Sequence, residues 1–101
     1  MIRAIIERNV KPGVDLFPLL KEIRIAAVMH YQGYLGGETL ANTEDSSNII
    51  VVSTWETFED WEHWAVSETR TKLYQKIEPL LREKSKVRTF QVMATEHKPV
   101  F

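Results

Sequence analysis

An α+β fold, a four-stranded antiparallel sheet with two helices on one face, is predicted for this 101-residue chain by three observations. The period of the apolar residues switches between two and about 3.6 in the order β–α–β–β–α–β. Pro, Gly and polar clusters fall at the switches. One strand, Ile49-Ile50-Val51-Val52, is apolar on both of its faces, which a single layer of helices cannot cover.

Ile2 to Arg8 reads as the first strand, rich in isoleucine and without a helix cap. Asn9-Val10-Lys11-Pro12-Gly13 breaks it into a turn. From Val14 to Tyr31 the residues Leu16, Leu19, Leu20, Ile23, Ala26, Ala27 and His30 recur along one face of a helix. Pro18 falls in its first turn, where a missing N–H does no harm, and Gly33 supplies a stop. Tyr34 to Leu40 is a second strand, bent by Gly36-Gly37. Ala41 to Ser47 is a polar hairpin loop, and Asn48 to Trp55 is the third strand.

Thr57 can cap the next helix, with Asp60 three residues on completing a box-like pattern. Phe58, Trp61, Trp64 and Ala65 share one face of it, a break is expected near Ser67, and Leu73, Ile77, Leu80 and Leu81 continue the helical spacing. Val87 to Met93 is the last strand, with a Phe90/Val92 face. This order is the ferredoxin-like split βαβ unit. The doubly apolar third strand then predicts that the open sheet face is buried against a second copy, giving an isologous homodimer. The tail ends in Pro99-Val100-Phe101, apolar enough to suggest that it lies along a partner's edge strand.

Composition excludes several classes of function. A formal charge of −1 offers no basic face for nucleic acid. The lack of cysteine removes disulfides, thiolate metal sites and cysteine nucleophiles. No apolar run approaches the roughly 20 residues of a membrane span, and the N-terminus lacks a signal-peptide pattern. The expectation is one cytoplasmic domain over residues 1–93, followed by a tail over 94–101, with no nucleic-acid or membrane partner. No phosphate-cradling glycine loop and no Gly-x-Ser-x-Gly elbow occurs. His30, His63 and His97 are too dispersed for a helical metal pair, so no metal site is expected. The acids Glu56, Glu59, Asp60 and Glu62 suit a helix start and need no catalytic explanation.

The informative feature is aromatic. All three tryptophans, Trp55, Trp61 and Trp64, fall within ten residues. Two readings share them: core filling between helix and sheet, and flat walls for a planar apolar ligand.

Several segments resemble the antibiotic biosynthesis monooxygenase domain. They are Lys11-Pro12-Gly13 before an amphipathic helix, Gly33-Tyr34-Leu35-Gly36-Gly37-Glu38-Thr39-Leu40, Val52-Ser53-Thr54-Trp55-Glu56, the aromatic helix with Trp64, and Ile77-Glu78-Pro79-Leu80-Leu81. The resemblance spans about residues 1–93 and implies a dimeric α+β barrel. It also implies a cofactor-independent monooxygenase acting on a quinol- or anthrone-like molecule, with no metal or prosthetic group. Trp55 and Trp64 are then the catalytic candidates, and Asn9, Trp61 and Tyr74 the ligand-binding ones. Trp55 matches the tryptophan that ends the third strand in the polyketide oxygenases, while the Asn and Tyr acting beside it fall at Val51 and Trp61. Haem-degrading members use an Asn–Trp–His set. Here Trp64 matches the tryptophan, Tyr74 stands where the iron-ligating His would be, and the first-strand Asn falls at about Glu7, with Asn9 on the same strand face. The alternatives are a non-catalytic small-molecule-binding dimer on the same scaffold and a haem protein in which Tyr74, His30 or His63 replaces the usual ligand.

Overall fold

A computed structural model describes residues 1–99. Val100 and Phe101, on which the expectation for the tail rests, lie outside the described residues. Strands β1 (Ile2–Asn9), β2 (Tyr34–Ala41), β3 (Asn48–Trp55) and β4 (Lys86–Gln91) form one antiparallel sheet in the order β2-β3-β1-β4. Helices α1 (Phe17–His30), α2 (Phe58–Ala65) and α3 (Glu68–Ile77) complete the ferredoxin-like α+β fold, with a 3₁₀ turn at Glu78–Leu80.

Side-chain alternation decides which sheet face the helices cover. Ile2, Ala4, Ile6 and Arg8 are buried, and the register pairs them with Trp55, Ser53, Val51 and Ile49 of β3. The opposite face carries Ile5, Glu7, Ile50 and Val52 near its centre, and Leu40 and Phe90 on the flanking strands. No chain segment among the described residues lies over it as a further layer.

Several boundaries differ from the sequence pattern or refine it, each for a local reason. The first helix starts at Phe17 rather than Val14, because the Asp15 carboxylate accepts a hydrogen bond from Phe17 N at 2.9 Å and turns the chain there. The second helical stretch divides at Ser67, where the break was expected: Ser67 Oγ accepts from Arg70 N at 3.1 Å and caps a new helix. Thr57 Oγ1 caps α2 likewise, accepting from Asp60 N at 3.1 Å. The last strand ends at Gln91 rather than Met93, because Gln91 already pairs with Ile2 at the start of β1. Beyond it a single bond, Val92 N to Met1 O at 2.9 Å, remains available. Helix α1 ends at His30, with Tyr31 already extended as its C-cap, before the stop expected at Gly33. Gly33 shapes the turn that follows at φ +86°, and a Cβ there would collide with the Asp60 carboxylate, so only glycine lets α2 start this close.

The core has two parts. An aromatic part gathers Ile2, Ala4, Ile6, Ala27, Trp55, Trp61 and Trp64, and an aliphatic part gathers Val10, Leu16, Leu20, Ile49, Ile77 and Leu81. Ile23 and Val51 pack against both and mark the seam. Trp55 is fully buried. Withdrawing an indole of that size from water is worth at most about 4–6 kcal/mol.

Candidate functional site

The helix-covered face of the sheet holds a cavity at the seam between the two core parts. From the sheet, Ile6 and Arg8 of β1 and Val51, Ser53 and Trp55 of β3 line it. Helix α1 contributes Leu20, Ile23 and Ala27, α2 contributes Trp64, and α3 contributes Arg70 and Tyr74. Arg24 is exposed at its rim, and Gly37 and Thr39 of β2 border it, while Glu38 between them alternates to the open face of the sheet. The cavity and its mouth span about 550 Å³, of which the centre of a water molecule can reach about 50 Å³. One water needs about 10–15 Å³ by that measure, so a few waters fit, and a ring system enters only if half-buried wall residues such as Arg70 and Tyr74 move.

Trp55 is the hub of the aromatic wall. Its ring lies 5.2 Å from Tyr34 edge-on, 6.0 Å from Trp61 edge-on, and 6.4 Å from Trp64 at an interplanar angle of 25°. Tyr31 buttresses Trp64 from outside, with ring centroids 4.6 Å apart. Trp55 Nε1 donates to Ser53 Oγ at 3.0 Å. The indole donor is therefore spent inside the protein. Ser53, having accepted that bond, has its own hydroxyl proton to offer to the cavity. Gly37 permits the neighbouring wall, because a Cβ there would lie 2.8 Å from the Tyr34 hydroxyl and 2.9 Å from the Val52 carbonyl. Burial pushes the Tyr34 phenol above its ordinary value, with Arg24 pulling the other way.

The sequence-derived candidates divide across the molecule. Trp55, Trp64 and Tyr74 come together in the cavity wall. Trp61 is buried behind Trp55 and does not line it. Asn9 lies on the opposite face of the sheet, in a polar cluster in which Asn48 Nδ2 donates to Asn9 Oδ1 at 2.9 Å and Asn9 Nδ2 donates to Glu83 Oε1 at 2.7 Å. Glu7 shares that face, since Asn48 Nδ2 also donates to Glu7 Oε2 at 3.0 Å. The first-strand residues that do face the cavity are Ile6 and Arg8.

Arg8 is the cavity residue that the aromatic pattern did not single out. Its side chain is 2% exposed, and its Nε has no hydrogen-bond partner. The guanidinium carbon lies 4.9 Å from the Tyr74 ring centroid, and Arg70 stacks on the same ring at 3.9 Å. Burial pulls the Arg8 guanidinium below the usual arginine range. Tyr74 opposes that shift, Arg70 adds to it through like charge, and Glu78 opposes it. Its signal was present in the alternation: Ile2, Ala4, Ile6, Arg8 and Val10 share one strand face, and Arg8 is the charged member.

The residues do not fit a haem. His30 and His63 are exposed and do not line the cavity, and Tyr74 carries two guanidinium groups at its ring. Among the described residues no cluster of three His, Cys, Asp or Glu side chains could hold a metal ion, and no helix is long and apolar enough to cross a membrane.

Fold and cavity together define a small α+β domain with an aromatic-walled, cation-bearing pocket between its helices and its sheet. The family model for antibiotic biosynthesis monooxygenases matches residues 1–76, and the chain belongs to that family. Solved structures with the same fold include SnoaB, a cofactor-independent oxygenase from Streptomyces nogalater in a mutant form (TM-score 0.83, 9% identity, 93% of this chain and 94% of that one). Rv0793 from Mycobacterium tuberculosis is similar (TM-score 0.80, 11% identity, 95% and 98%), as is a conserved protein from Methanosarcina mazei (TM-score 0.79, 14% identity, 89% and 90%). No curated protein matches the chain.

Proposed function

We propose that this chain is a cofactor-independent monooxygenase that oxidises a planar aromatic substrate of the quinol or anthrone kind, working as a homodimer. The observation that carries the reading is the wall formed by Trp55, Trp64 and Tyr74 around one cavity, with the Ser53 hydroxyl oriented beside it by the Trp55 N–H. Flat apolar walls with a few directed polar groups suit a flat ligand that needs one orientation. An anthrone loses a methylene proton to give an electron-rich enolate, which reduces dioxygen. The O–O bond breaks, one oxygen atom remains as the new ketone, and the other leaves as water with the two methylene hydrogens. The carbon gives up four electrons and dioxygen accepts four. In this scheme the chain binds and orients the ring, excludes bulk water, and donates hydrogen bonds to the oxygen on which negative charge develops.

The chemistry of the open sheet face supports dimerisation through it. Ile5, Ile50 and Val52 form an apolar centre there, extended by Leu40 and Phe90, which are 45% and 49% exposed. Arg3 and Arg88 on that face can meet Glu7 and Glu38 of a second copy. Sedimentation at micromolar concentration should give twice 11.8 kDa; a species of 11.8 kDa alone would remove the dimer.

Oxygen consumption by the purified protein, tested with chelator present against a panel of hydroquinones and anthrones, tests the activity. Uptake that needs wild-type protein and falls in Trp55→Phe and Trp64→Phe is the expected result. A second reading, a non-catalytic binding dimer, draws on Val51, an apolar side chain at the position where the polyketide oxygenases place an Asn. Ligands that bind the cavity with no oxygen uptake across the panel would select that reading.

A further inference from the structure

We propose that the ligand of this cavity is an aromatic carboxylate, with its acid group seated on the Arg8 guanidinium and its ring against Trp64 and Tyr74. The proposal rests on the aromatic-cavity reading above and names the chemical class of what the cavity takes.

A guanidinium stays charged at every physiological pH, and burying one without a counter-charge is among the costlier things a fold can do. Arg8 is buried to 2% exposure and aimed into the cavity, with Nε unpartnered. Among the described residues no carboxylate lies within ion-pair distance of it. Glu78, whose charge reaches it, accepts a hydrogen bond from Ser85 Oγ at 2.7 Å instead. The partner that Arg8 does have is the Tyr74 ring at 4.9 Å, shared with a second guanidinium, Arg70, at 3.9 Å. A ring face attracts a cation, but it leaves the forked N–H donors unused and cannot offset like-charge repulsion.

The rest of the lining repeats the imbalance. Arg8, Arg24 and Arg70 contribute three guanidiniums to the cavity, whereas Glu38, the carboxylate residue of its lining, pairs with Val52 and turns its side chain to the open face of the sheet. A core that needed only filling would place an apolar residue at position 8, in line with Ile2, Ala4, Ile6 and Val10 on the same strand face. The missing partner is therefore a small planar anion held next to apolar walls. A carboxylate conjugated to a ring is ionised before it enters, matches the guanidinium fork bidentately, and lies flat between Trp64 and Tyr74. A neutral phenol would fill the same space and leave the charge uncompensated.

Calorimetric titration of the full chain with 2-naphthoate and with 2-naphthol, at neutral pH, tests this directly. The carboxylate should bind about tenfold or more tightly than the neutral phenol. Arg8→Met should bring naphthoate down to the affinity of naphthol and leave naphthol unchanged. Because that substitution removes an unpaired buried charge, the melting temperature of the ligand-free variant should not fall below wild type. Equal affinities for the two probes in wild type would overturn the proposal while leaving the aromatic cavity standing. A preference for naphthoate that survives Arg8→Met, or a large loss of melting temperature in that variant, would overturn the role given to Arg8. Binding of neither probe would remove the aromatic-cavity reading and this proposal with it.

Discussion

The two parts of the core are built on the same sheet face from similar numbers of side chains, yet they differ in chemistry. The aliphatic part, with Ile77 at its centre, contains no polar group among its buried members. The aromatic part borders the buried Ser53. The buried Arg8 sits between Ile6 of the aromatic part and Val10 and Ile49 of the aliphatic part, and the cavity opens where the two parts meet at Ile23 and Val51. Aliphatic side chains interdigitate and close space. Rigid indoles meeting edge-on at 5–6 Å leave gaps that small side chains such as Ala27 and Ser53 do not fill. The aliphatic part is thus closed packing, and the open space lies along its seam with the aromatic part.

The largest effect that sharpens this contrast is at Ile77. It is fully buried, so Ile77→Ala should cost about 2–5 kcal/mol in a urea melt while leaving the affinity of a cavity ligand unchanged. Trp64→Phe should do the reverse, with a smaller stability loss and a clear loss of ligand affinity. Equal effects of the two substitutions on ligand affinity would break the division. A smaller effect is expected at the joint between α2 and α3. Ser67→Ala removes the cap on Arg70 N and should cost about 1 kcal/mol. Because α3 positions Arg70 and Tyr74, that variant should also weaken ligand binding, whereas Thr57→Ala, with a similar loss of stability, should not. Titrations of the two cap variants side by side check the difference.

The smallest effect is that of Tyr34. Burial raises its folded pKa above the unfolded value near 10, so the neutral phenol stabilises the fold fully below that value. Above it the unfolded chain ionises first, and this stabilisation is lost as pH rises through the folded pKa. Urea midpoints of wild type should fall between pH 8 and about 10.5, and Tyr34→Phe should flatten part of that fall. An identical pH dependence in the two proteins would remove Tyr34 as its source.

The element order was legible because each element carries one period over enough residues: Leu16 to His30 at helical spacing, Asn48 to Trp55 as an extended apolar run. The break at Ser67 was legible from its capping chemistry. Where Trp55 and Trp64 lie was also legible, since a strand end and a helix face that meet must pack their large residues together. Trp61 was not separable from Trp64 by spacing alone. Both face the sheet, and only the crossing of α2 over β3 decides which one borders the cavity and which sits behind Trp55. Asn9 is a candidate through its likeness to the first-strand Asn of haem-degrading relatives, but alternation already sets it with Glu7 rather than with Ile6. The same alternation set Arg8 among the buried apolar residues, and a charge in such a row is a stronger signal than an amide at a strand end. Ser53 follows the same rule, two residues before Trp55 on one face and so within reach of its N–H.

The most direct test of the central claim uses the three indole N–H signals of the protein in a nitrogen-proton correlation spectrum, assigned by single Trp→Phe substitutions and followed during titration with 2-naphthol or 2-naphthoate. A ligand in the seam cavity should shift the Trp64 and Trp55 signals and leave Trp61 nearly still. Movement of Trp61 without Trp64, or shifts confined to backbone amides of Ile5, Val52 and Phe90, would place the ligand elsewhere and contradict the account.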